Sequence, residues 1–217
     1  MDLTTFTPAS ALLTVIFLAL APFVAVMVTS FTKIIVVLSL LRNALGVQQI
    51  PPNLVLNGLA MLLTIYVMYP VGQKMYNVIV ETDIEVQSTE ELFQVASVAR
   101  EPLRQFLIKH SDEPQREFFH ATIARMGDDN DEVTVLSDDF IVLVPAFTIS
   151  ELTEAFQIGF LIYLPFIVVD LVVSNILMAL GMMMLSPTLI SLPFKLLLFV
   201  IVDGWSKLAH GLVTSYF

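Results

Sequence analysis

AFQIGFLIYLPFIVVDLVVSNILMALGMMMLSPTLISLPFKLLLFVIVDGW, residues Ala155–Trp205, is the stretch on which the fold turns. From Ile158 to Leu185 it is almost wholly apolar, interrupted only by Asp170, Ser174 and Asn175. A helix needs about 20 apolar residues to cross the hydrocarbon of a bilayer, and this run exceeds that. Pro187 and Pro193 are expected to flank a turn, with a final helix from about Leu192 to Tyr216. The block begins near Phe140, where Thr148 and Glu151 have the spacing of a capping box. It reads as a helical hairpin.

A second apolar block lies at the other end of the chain, from Ala11 to about Leu45. As one continuous helix it would extend roughly 50 Å, so a kink is expected at Pro22. Arg42 suits the last turn of such a helix and Gly46 the residue just past it. Pro51 and Pro52 then exclude helix, and Asn53 is placed to cap a following helix from Leu54 to about Val71. This too is a hairpin.

Between the blocks the character changes. Residues 73–139 carry 15 acidic and 6 basic side chains, net −9, while the rest of the chain carries 5 and 4, net −1. Ser88 and Glu91 have capping-box spacing. Pro102 is expected to break or kink the run that follows, and a short helix should end at His110. Pro114–Met126 reads as another helix, stopped by Gly127. The expected architecture is therefore all-α. Hydrophobic helical hairpins occupy residues 1–72 and 140–217, and a small acidic helical insert occupies 73–139.

Composition sets limits on function. Of 217 residues, 57% are hydrophobic and 14% are charged, too few to coat an ordinary soluble domain. The formal net charge of −10 disfavours nucleic acid and leaves no polybasic lipid-binding patch. There is no cysteine, hence no disulfide and no thiol chemistry. His110, His120 and His210 have no metal-ligand spacing, and the zinc-protease, nucleophile-elbow and phosphate-loop patterns are absent. No enzyme, cofactor or metal is expected. Lys33 and Arg42, between the first two apolar runs, should face the cytoplasm, which places the acidic insert on the opposite side. MDLTTFTPAS, residues 1–10, lacks the basic start of a secretory signal, so the first apolar run is expected to be retained.

Two features stand out within the apolar blocks. Asp170 and Lys195 are charges embedded in hydrophobic sequence, where an unpaired charge costs several kcal/mol. They can pair within the hairpin or between neighbouring copies, as a proton relay or as a structural ion pair that fixes register. Met182, Met183 and Met184 follow Gly181. Within a helix they would be core filler, whereas on a turn they can project together as a soft collar. A conventional polytopic transporter or channel subunit is the alternative, with Asn57, Thr64, Asp170, Ser174 and Asn175 as its thin set of candidate solute-binding groups.

TSFTKIIVVLSLLRNALGVQQIPPN (Thr29–Asn53) and the Ala155–Trp205 stretch resemble the FliP/SctR family of type III secretion export-gate proteins. VQQIPPN looks more like the injectisome SctR branch than the flagellar FliP branch. The resemblance implies a homo-oligomer of five copies. These would join SctS/FliQ-like and SctT/FliR-like subunits, and an SctU/FlhB-like switch protein, in a helical, conical entry portal for unfolded secreted proteins. It implies a place in the bacterial inner membrane, largely at or above the periplasmic face once the basal body is assembled. It also implies that Met182, Met183 and Met184 form a pore gasket and that Asp170 and Lys195 form an intersubunit charged pair.

Overall fold

A computed structural model of the chain describes residues 8–47, 49–81, 95, 97–126, 135–182 and 184–217. Among them there is no strand. The helices are α1 (Pro8–Met27), α2 (Phe31–Leu45), α3 (Asn53–Glu81), α4 (Glu101–Lys109), α5 (Glu113–Met126), α6 (Phe140–Ala179), α7 (Pro187–Ile201) and α8 (Gly204–Thr214). Two of them, α3 and α6, are long and apolar enough to cross a membrane. The number rises to four if the bent pairs α1–α2 and α7–α8 are each one span.

Helix α2 is the spine. Its buried side chains, Lys33, Ile34, Val37, Leu38, Leu41, Ala44 and Leu45, recur at three and four residues and make one stripe. That stripe lies chiefly along α6 and also touches α3 and α7. The α2–α6 crossing is close because Gly159 has no side chain: a Cβ there would sit 2.2 Å from Leu40 Cδ1. Small residues at such crossings let backbones approach and gain packing contacts, which is what drives helix association in an apolar solvent. Helices α4 and α5 pack on the N-terminal part of α6, where Phe106, Leu107, Leu143 and Phe147 share a cluster with Val67 and Tyr216.

Pro51 and Pro52 lie in the α2–α3 break as expected, but Pro22 and Pro70 set none. Helix α1 runs straight past Pro22, and the chain instead turns by 67° between Met27 and Phe31. Ending a helix leaves its last carbonyls without partners, and this segment supplies hydroxyls for them. Thr29 Oγ1 donates to Ala25 O at 2.7 Å, and Thr32 Oγ1 to Val26 O at 2.9 Å. Thr148 Oγ1 reaches Met27 O at 3.3 Å while also bonding Val144 O at 2.8 Å. Similarly, α3 continues through Pro70 to Glu81, ten residues beyond the expected end at Val71. Asn53 is the first residue of that helix, and its Oδ1 accepts from Arg42.

As expected at Pro102, the helical run through residues 97–99 breaks at Arg100, and the short helix α4 that follows has Pro102 in its first turn, where its missing N–H costs no bond, and ends at His110. Thr148 and Glu151 lie inside the 40-residue α6, so they cap nothing. The other capping-box pair, Ser88 and Glu91, and the helix stop at Gly127 lie outside the described residues. The final helix starts at Pro187, holds Pro193 in its interior, and breaks at Val202–Asp203 with a 60° bend. Asp203 takes φ 52°, and a Cβ on Gly204 would lie 2.1 Å from the Phe199 ring. That contact reserves the position for glycine.

Candidate functional site

The α6–α7 turn spans Leu180–Ser186. Gly181, at φ 73°, ends α6 in a Schellman motif. Its N–H donates to Met178 O at 3.0 Å, and the Met182 N–H donates to Leu177 O at 2.9 Å. Pro187 starts α7 with φ already set for a helix. The turn is thus clamped at both ends by backbone chemistry. Met182 is half exposed and Met184 is fully exposed upon it. Met183 lies outside the described residues. Beside the turn a polar cleft of about 1350 Å³ runs to the α2–α3 connection, lined by Arg42, Asn43, Asn53, Ser186 and Thr188 among others.

Asp170 lies ten residues before Leu180 and Lys195 nine after Ser186, so the two stand level across the hairpin. Lys195 Nζ is 2.6 Å from Asp170 Oδ2 within the one chain. Ser191 Oγ donates to Asp170 Oδ1 at 2.5 Å, and Lys195 Nζ also donates to Ala44 O at 3.2 Å. One ammonium therefore ties α7 to α6 and to the C-terminal end of α2, where carbonyl dipoles favour a cation. Lys195 is 5% exposed at its side chain and Asp170 32%, so the carboxylate is the wetter partner.

A second charge cluster lies deeper. Lys33 was grouped with Arg42 as a charge facing the cytoplasm. Instead it is fully buried in α2, with Nζ 3.2 Å from Glu151 Oε1 and 2.6 Å from Glu154 Oε2 of α6. Its ammonium stands 4.1 Å over the Tyr216 ring, and the Tyr216 hydroxyl donates to Glu151 Oε2. The desolvated Lys33 is thereby given two carboxylates and a π face. His110, at the end of α4, borders this cluster, its ring 5.1 Å from Tyr216 and 4.7 Å from Phe106. Burial, helped by the Lys109 and Lys33 ammonium groups and opposed by Glu154, lowers the His110 imidazole to about 4.

Sequence reasoning singled out none of this cluster as a site. In the sequence Glu151 reads as a capping residue and Lys33 as a topological charge. One signal was available: TSFTKIIVVL embeds Lys33 in apolar residues just as Asp170 and Lys195 are embedded, and Glu151 and Glu154 recur at helical spacing. The transporter candidates are not brought together. Thr64 donates to its own helix at Ala60 O, 2.7 Å, and Asp170 is engaged by Ser191 and Lys195 rather than by Ser174 or Asn175. His120 Nε2 donates to Val135 O at 3.0 Å. Among the described residues no group of three or more His, Asp or Glu side chains is arranged to hold a metal ion.

Apolar helices stitched by ion pairs, two of them long enough to cross a membrane, define an all-α membrane protein. The FliP family pattern matches residues 12–212, and the chain belongs to that family. It stands in the SctR branch of type III secretion. It is 53% identical over 205 residues to "Pathogenicity-related ORF2" of Xanthomonas campestris pv. glycines, covering 94% of this chain and 95% of that protein. It is 50% identical over 211 residues to "Hypersensitivity response secretion protein HrcR" of Ralstonia nicotianae (96% and 97%). It is 52% identical over 199 residues to "Yop proteins translocation protein R" of Yersinia pestis (92% and 92%). Its relatives are type III secretion export apparatus proteins.

Proposed function

We propose that this chain is a core subunit of the type III secretion export gate and lines the portal through which unfolded proteins pass at the level of the bacterial inner membrane. The observation that carries the reading is the α6–α7 turn. Exposed Met182 and Met184 are presented on a backbone fixed by Gly181 and Pro187. Thioether side chains are unbranched and change rotamer at little cost. A collar of them, contributed by several copies, seals against ions when idle and deforms around a passing chain of any sequence. Met183 belongs to the same collar.

Five copies assemble with SctS/FliQ-like and SctT/FliR-like subunits and with an SctU/FlhB-like switch protein. The acidic insert lies on the periplasmic side. The Asp170–Lys195 pair sits where copies meet, its partly exposed carboxylate available to a neighbour. The subunit itself catalyses no reaction, and energy coupling resides in other components. Replacing Met182, Met183 and Met184 with Ala in the complete secretion apparatus should raise ion leakage across the membrane in the absence of substrate. Unchanged leakage in an assembled apparatus would remove the gasket.

A further inference from the structure

Helix α1 is apolar around its whole circumference, and all nine of its described Leu, Ile, Val, Phe and Met side chains are exposed. A helix of this kind is stable only when covered on every side. Together these side chains offer on the order of 1,000 Å² of apolar surface, enough for one side of a standard protein interface. The other described residues do not cover it: α1 leaves α2 at 67° and touches little else among them.

Elsewhere on the same molecule is an apolar groove of about 430 Å³, between α2, α6, α7 and α8. Leu41, Ile162, Phe166, Phe199 and Leu208 line it, and its only charged lining residue is the exposed Lys207. Gly204 and Gly211, seven residues and two turns apart on α8, lower one wall. A Cβ on Gly211 would meet no atom within 4 Å, so the groove is open there. Leu41 lies ten residues down α2 from Phe31, at the far end from the α1 junction, so the bend keeps a chain's own α1 away from it.

We propose that α1 of one copy docks in the α2/α6/α7/α8 groove of the next. Helix α1 carries no charge and the groove carries one, Lys207, which is exposed; the glycines let a bulky helix approach closely. Because donor and acceptor are different surfaces, the contact is head-to-tail and generates a ring or a helical rise rather than a closed dimer. This rests on the reading of the chain as a multicopy gate subunit and names the surfaces that would join the copies.

The chain has no cysteine, which gives a clean background for the test. Two differently tagged full-length versions, one carrying Leu18→Cys and the other Leu208→Cys, are co-expressed with the partner subunits and treated with a short bis-maleimide. The expected result is a cross-linked product bearing both tags, absent when either substitution is omitted and lost when Gly211→Leu fills the groove of the Leu208→Cys copy. Multicopy complexes by native mass measurement without the doubly tagged product would overturn the docking and leave the gate reading intact. Phospholipid retained in the groove in place of the cross-link has the same meaning. Chains that stay single in the presence of the partners would overturn both.

Discussion

Lys33 and Glu151, 118 positions apart in the chain, meet at 3.2 Å with each side chain only 1% exposed. Taking two charges out of water is costly, and the loss is recovered only when each stays paired and hydrogen-bonded. The cluster meets that condition through Glu154 and Tyr216, and it joins α2, α6 and the segment after α8 at one point.

Lys33→Met should therefore lower stability by about 3–5 kcal/mol, because it removes the cation that Glu151 and Glu154 share and leaves the buried Glu151 carboxyl with only a tyrosine hydroxyl. Lys33→Met with Glu151→Gln should recover much of the loss, since the amide oxygen still accepts from Tyr216 and the carboxylate left without its cation, Glu154, is half exposed. Thermal unfolding in detergent of the two single variants and the double variant would show the coupling. Purely additive effects would mean the pair is not energetically joined.

The Asp170–Lys195 clamp should respond asymmetrically. Asp170→Leu strands an ammonium that is nearly fully buried, with a single carbonyl left to it, and should destabilise by roughly 3 kcal/mol or more. Lys195→Met leaves a carboxylate that is a third exposed and still bonded to Ser191, so a smaller loss of about 1–2 kcal/mol is expected. Asp170→Asn keeps an acceptor and should be the mildest of the three. The ranking is measurable by the same unfolding assay, and the reverse order for Asp170→Leu and Lys195→Met would contradict the geometry.

His110 makes a prediction about pH. Its imidazole titrates near 4 in the folded chain against 6.5 when unperturbed. Between those values the unfolded chain binds the extra proton and the folded chain does not, so stability falls as pH is lowered from about 6.5 to 4. Lys109 and Lys33 repel the added charge, Glu154 attracts it, and burial decides the balance. His110→Gln should flatten that part of the stability profile. An unchanged slope would show that His110 is not the group responsible.

The apolar runs made the helices and the all-α class legible, because long hydrophobic segments have few other ways to satisfy their backbone. The turn was legible from Gly181 and Pro187, and Asp170 and Lys195 from their isolation in apolar sequence. The α2–α3 break was legible from Gly46, Pro51 and Pro52, but the other bends were not. Pro22, Pro70 and Pro193 sit inside helices, whereas the chain bends where threonine hydroxyls can take up freed carbonyls and where Asp203 adopts a left-handed conformation. The Lys33 cluster was not legible either. Its members come from residues 33, 151, 154 and 216, and only the register of α2 against α6, fixed by Leu40 on Gly159, brings them together.

The claim that most needs testing is that the methionine turns of several copies converge on one axis. In the otherwise cysteine-free chain, Met184→Cys places a single thiol at a fully exposed position of the turn. Mild oxidation of the assembled complex should link neighbouring copies through that thiol, giving a disulfide dimer that reduction reverses. An intact multicopy complex in which this thiol forms no disulfide and reacts freely with a membrane-soluble maleimide would place the turn on the outside, facing lipid, and would contradict the account.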